Sequence, residues 1–123
     1  APEEVISFYK KASITALLHD ILEDTDTKPE DLIELGFDSD IVQAVIAITR
    51  RPDENSYFEY IERLKQNDIA KIVKIYDLEN NMDITRLTKL EEKDIKRLIK
   101  YWNCWMYLRG QITADNCKNN ILK

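Results

Sequence analysis

The sequence predicts an all-α domain, a bundle of about six helices. Three observations carry that prediction. Only two glycines and three prolines occur in 123 residues, a scarcity that disfavours turn-rich β folds and suits helices joined by short loops. Apolar residues recur at helical spacing over long segments. Apolar residues make up 44% of the chain and charged residues 33%, which is ordinary for a globular protein with one core. The expectation is a single domain over residues 1–123, with a polar, fraying tail from 113 to 123.

Pro2, Glu3 and Glu4 mark a helix start, with proline in the first turn and acids at the positive dipole end. Apolar positions from Val5 to Leu22 then predict one long helix ending near Asp24. Pro29, Glu30 and Asp31 open a brief helix that Gly36 ends. Asp38 or Ser39 caps a third, through Ile41, Val42, Ala44, Val45 and Ile48. Arg50 to Ser56 contains Pro52 and reads as an exposed loop. Tyr57 to Gln66 forms a short helix. Asn67 or Asp68 caps a long one to about Lys89, and a last helix covers Glu92 to Gln111.

The net charge of −5, from 18 Lys+Arg against 23 Asp+Glu, argues against a nucleic-acid binder or an acidic-membrane binder, because no basic field covers the surface. No run approaches the roughly 18 apolar residues of a membrane span. Cys104 and Cys117 lack the close spacing of a zinc pair and read as two reduced thiols of a cytoplasmic protein. The chain opens at Ala1 without a methionine, which reads as a fragment or a trimmed form.

Two helices carry the candidate chemistry. At about 100° per residue, His19, Asp20, Glu23 and Asp24 fall within one arc of about 140° on the first helix. Ile14, Leu17, Leu18, Ile21 and Leu22 fill the opposite side. A solvated polar face on an amphipathic helix gives the same pattern. On the helix from Asp68, apolar residues surround nearly the whole circumference and predict burial. Asp77 sits in the middle of that apolar arc, with Asn80 and Asn81 one turn on. A lone buried carboxylate costs several kcal/mol unless it meets a cation, a metal or several donors. Lys71 and Lys74 are expected to point elsewhere. Two partners stay open for Asp77: a divalent metal shared with His19 and Asp20, or hydrogen bonds from a neighbouring helix.

The run Ala16-Leu17-Leu18-His19-Asp20-Ile21-Leu22-Glu23-Asp24-Thr25 resembles the ALLHD(V/I)(V/L)EDT signature of RelA/SpoT-type hydrolase domains. Lys74-Ile75-Tyr76-Asp77-Leu78-Glu79-Asn80-Asn81-Met82 resembles their KLADRLHNM segment. Between them, Ile41 to Arg50 is similar to the helix that ends in a threonine and a basic residue there. The likeness spans Glu3 to Leu108, and the two motifs are specific in their order and separation. It implies an HD-type metal-dependent phosphohydrolase acting on (p)ppGpp-like nucleotides, with one divalent ion, manganese in this branch. By the same resemblance His19, Asp20 and Asp77 are metal ligands, and Glu23 and Asp24 guide or activate the attacking water. Asn81 matches a substrate-contacting asparagine, and Arg50 a basic position suited to phosphate oxygens, although a solvated loop arginine reads the same.

Departures from the family pattern accompany the match. The family carries a first histidine on an earlier helix, whereas His19 is the single histidine here and 18 residues precede it. Leu78, Asn80 and Asp83 replace an arginine, a histidine and a basic residue, which removes positive charge from the pocket. The alternative function is therefore a catalytically impaired HD-fold module that binds nucleotide or regulates.

The remaining features have plain structural readings. Tyr101, Trp102, Trp105 and Leu108 lie at helical spacing with Leu98 as a packing stripe. Lys93, Lys96, Arg97 and Lys100 read as a solvated face.

Overall fold

The computed structural model describes residues 1–121. Among these residues the fold is all-α, with seven α-helices and one short 3-10 turn: α1 Pro2–Asp24, α2 Pro29–Glu34, α3 Ser39–Ile48, α4 Tyr57–Leu64, α5 Asp68–Asn81, α6 Glu92–Leu108 and α7 Ala114–Ile121. None of these helices is long and apolar enough to cross a membrane.

Helix α1 begins where the sequence places it, with Pro2 in the first turn and Glu3 and Glu4 at the positive end of the dipole. Its end is set by Thr25, whose backbone turns extended and whose hydroxyl donates to the Ile21 carbonyl at 2.6 Å. Gly36 follows α2 at φ 87°, a left-handed conformation that glycine adopts without a Cβ penalty. Asn67 caps α5 by accepting from the Ala70 amide at 2.9 Å.

Helix α1 packs across α3 and α5, α2 closes on α3, and α6 lies between α5 and α7. The main core gathers Ile48, Phe58, Ile61, Leu64, Ala70, Leu78, Cys104, Leu108 and Cys117, with α1 contributing Ala12. A smaller cluster of Leu18, Leu32, Ile41, Val42 and Val45 seats α2 and α3 under the later part of α1.

The buried side of α1 differs from the expected one. Ala12, Thr15 and Leu18 form its buried seam, while Ile14, Leu17 and Ile21 face solvent together with Val5, Ile6 and Tyr9. Where α1 meets the main core its buried residue is the small Ala12, Leu18 seats on the smaller cluster, and the fully buried Thr15 satisfies its hydroxyl on the Lys11 carbonyl at 2.8 Å.

Two boundaries also move. Helix α5 stops at Asn81 rather than near Lys89, because the Asp83 carboxylate accepts from the Thr85 amide at 3.0 Å and from its hydroxyl. That local side-chain bonding competes with the helix ladder and redirects the chain into a turn at Ile84–Arg86. The expected fraying tail is a helix as far as Ile121, and residues 122 and 123 lie outside the described part. Cys117 on α7 is fully buried against the core, and Asn120 donates to Asn103 of α6 at 2.8 Å. Its polar composition reflects one apolar side against α6 and a solvated remainder.

The loop between α3 and α4 is anchored from beneath. Arg63 of α4 donates to the Ala47 and Thr49 carbonyls at 2.9 and 2.8 Å, and its Nε meets Glu54 at 3.0 Å. The Tyr60 hydroxyl donates to the Ile48 carbonyl at 2.5 Å. Three carbonyls at the end of α3 thus find donors on α4, which answers the orphaned acceptors of a helix terminus. Glu54, nearly buried at 6% side-chain exposure, has its carboxyl held below the usual range by the Arg63 guanidinium. The exposed loop expected from the sequence is present, with residues 50–53 and 55 open to solvent, and Arg63 ties it to α4 through Thr49 and Glu54.

Candidate functional site

The last turns of α1 bring three metal-ligating types together. His19, Asp20 and Glu23 each offer a donor atom, and these atoms lie within 4.8 Å of one another. The His19 Nε2 stands 3.3 Å from Glu23 Oε1, the contact expected of residues four apart on a helix. His19 is mostly covered at 17% side-chain exposure, whereas Glu23 reaches out at 62%. One imidazole nitrogen and two carboxylates form a donor set suited to manganese, iron or zinc. All three donors come from one helix, so a bound ion would keep its opposite side open to water or substrate. Asp24 is exposed at the end of the same helix and lies outside the three-residue set.

Asp77 is where the structure departs most from expectation. It is exposed, with a side-chain exposure of 48%, because the apolar circumference of α5 is incompletely covered: neighbouring Tyr76 is 52% exposed as well. Its partner is Lys74, which points toward it rather than away. The Lys74 ammonium lies 2.9 Å from Asp77 Oδ2, with its own side chain only 11% exposed. The Asn81 amide donates to Asp77 Oδ1 at 3.2 Å and to the Asp77 carbonyl at 2.9 Å. The carboxylate is thus neutralised within its own helix, and it does not join the α1 donor set.

Helices α1 and α5 pack together, and Tyr60, whose phenol is pushed upward chiefly by burial, feels the negative charges of both Asp77 and Glu23. From Asn81 a cleft of about 260 Å³ runs over Asn80, Asp83, Arg86, Arg97 and Tyr101.

Arg50 is exposed, with its guanidinium 5.7 Å from the centre of the Tyr57 ring. Lys74 and Lys100 approach the same ring at 5.7 and 4.6 Å. Sequence reasoning missed both lysines. The signal for Lys74 was its spacing of three from Asp77, which places the two on one helix face. For Lys100 the signal was weaker: it shares its helix face with Lys93 and Lys96, and only packing brings its ammonium to the Tyr57 and Tyr101 rings. Of that stripe, Leu108 is buried, Tyr101 and Trp105 are half-buried, and Trp102 is exposed at 53%.

Cys104 and Cys117 are unlinked thiols buried between α6 and α7. No protein-family model matches the chain, and no curated protein matches it.

Proposed function

We propose that the chain is an HD-type metal-dependent phosphohydrolase acting on (p)ppGpp-like nucleotide pyrophosphates. The observation that carries this reading is the convergence of His19, Asp20 and Glu23 at the residues of the ALLHD-x-x-EDT-like run. A cluster of this kind holds more negative than positive charge, and an added divalent cation offsets that imbalance.

In this reading His19 and Asp20 would hold the ion, and Asp77, now paired with Lys74, would be the third ligand. Manganese suits this mixed nitrogen and oxygen set. When bound, the ion supplies Lewis acidity toward a phosphoryl oxygen and lowers the pKa of water. Glu23 and Asp24, exposed at the same end of α1, would orient the attacking water and accept its proton. The water oxygen forms a new bond to the phosphorus next to the ribose, the bond from that phosphorus to the ribose oxygen breaks, and the proton taken from water returns to the ribose oxygen, giving pyrophosphate and a free ribose hydroxyl. Asn81 borders both Asp77 and the cleft, which suits contact with the nucleotide. Arg50 supplies a guanidinium to phosphate oxygens.

A second reading, an impaired module that binds nucleotide without cleaving it, is favoured by the Lys74–Asp77 ion pair, which already satisfies one of the three ligands. The discriminating experiment incubates the protein with manganese and ppGpp and follows pyrophosphate release by chromatography. The hydrolase reading expects release that disappears in His19→Ala and Asp20→Asn. Binding of ppGpp without release selects the impaired module, and unchanged release in both variants rejects the site.

A further inference from the structure

Four separate elements deliver side chains to one aromatic ring. Tyr57 opens α4, and its ring carries Arg50 from the end of the α3 loop, Lys74 from α5 and Lys100 from α6 at 5.7, 5.7 and 4.6 Å. Tyr60 and Tyr101 flank it, with ring centres 5.6 and 6.0 Å away. Lys74 also lies 5.4 Å from the Tyr60 ring, and Lys100 5.4 Å from the Tyr101 ring.

Cation–π attraction accounts for one cation on one ring, as with Lys65 on Tyr107 and Arg109 on Trp105. It does not account for three, because cations gathered around one ring centre repel one another. The negative charge nearby is insufficient. Lys74 is paired with Asp77, whereas Arg50 and Lys100 have no carboxylate partner among the described residues. In a chain of net charge −5, two unneutralised cations held with a third around one half-buried ring are a local reversal of sign. Arg50 is exposed and Lys100 half-buried, so an anion from solvent reaches both. The Arg63 anchor fixes the loop that carries Arg50, which limits the entropy lost on binding.

We propose that Arg50, Lys74 and Lys100, gathered around Tyr57, form a binding site for a diphosphate group. Two adjoining phosphates match three cations better than a single phosphate does, since they present more oxygens over a longer span. The inference rests on the proposed function only for which molecule bears the diphosphate; the anion site stands on the cations themselves.

Calorimetric titration of the full chain with inorganic pyrophosphate, in EDTA so that no metal takes part, tests it. Wild-type protein is expected to bind one equivalent, with affinity falling as salt is raised. Lys100→Gln and Arg50→Gln are each expected to weaken binding about tenfold with an unchanged melting temperature. Lys96→Gln, one turn earlier on the same helix and 71% exposed, is expected to bind like wild type. Absence of binding to wild type, or equal weakening by Lys96→Gln, overturns the site. His19→Ala separates this inference from the hydrolase reading: it is expected to lose manganese but keep pyrophosphate, and loss of both overturns the independence claimed here. A parallel titration with GDP identifies the source. Tighter binding than pyrophosphate points to a nucleotide-borne diphosphate and weaker binding to the free anion, and either order sustains the site provided that the Lys100→Gln loss is seen.

Discussion

The carboxylates of α1 and α5 meet opposite fates, although the two helices pack against each other. On α5, Asp77 has its own counter-ion, Lys74, three residues back. On α1, Asp20 and Glu23 share a face with a single imidazole, and among the described residues no lysine or arginine pairs with either. The difference teaches where a charge is neutralised by the chain itself and where the chain leaves room for something added. Glu54 belongs with Asp77 in this respect, since Arg63 holds it from a neighbouring helix.

The largest expected effect breaks an internally neutralised pair. Arg63→Met leaves Glu54 without its cation and two α3 carbonyls without donors, and urea denaturation is expected to show a loss of about 3 kcal/mol. A loss below about 0.5 kcal/mol, the range of ordinary surface changes, contradicts the anchoring role. Next comes Lys74→Gln, which frees Asp77. If Asp77 is a latent third ligand, manganese affinity rises about tenfold, as removal of a competing cation at contact distance predicts. Unchanged affinity restricts the ligand set to α1.

The pH dependence of stability gives a smaller effect with a defined sign. The Arg63 guanidinium lowers the folded-state pKa of Glu54. Its contribution to stability is therefore fully present above the ordinary glutamate pKa and is lost as pH falls through the depressed folded value. Glu54→Gln is expected to flatten the acid limb of a melting-temperature profile without altering the neutral plateau's dependence on pH. The smallest effect is expected on the open side of α1, where Leu17 is 63% exposed. Leu17→Gln is expected to change stability by less than about 0.5 kcal/mol, and a loss above 2 kcal/mol would show that this side is covered in solution.

Much of the fold was legible because capping and punctuation residues speak locally. Pro2, Pro29, Gly36 and Asn67 placed helix boundaries to within a residue or two of where they stand. Less legible was which apolar side of a helix turns inward. Helix α1 is apolar on two sides, so periodicity favoured the bulky Ile14, Leu17 and Ile21, while packing across α3 and α5 buries Ala12 and Thr15. The same ambiguity misplaced Asp77, since an apolar circumference signals burial only if neighbours cover all of it. Within the site, His19, Asp20 and Glu23 came together as spacing along one helix requires. The Tyr57 cluster was invisible for the opposite reason: its members come from four elements, and no pattern local in sequence announces a meeting set by tertiary packing.

The central claim is that the end of α1 recruits an external cation. Titration of manganese into metal-free protein, followed by the loss of the free ion's electron paramagnetic resonance signal, measures this directly. The account predicts one saturable site in the wild-type protein that vanishes in both His19→Ala and Asp20→Asn, with unfolding transitions unchanged. A wild-type protein that leaves the free-ion signal undiminished, or variants that sequester manganese as well as it does, would contradict the account.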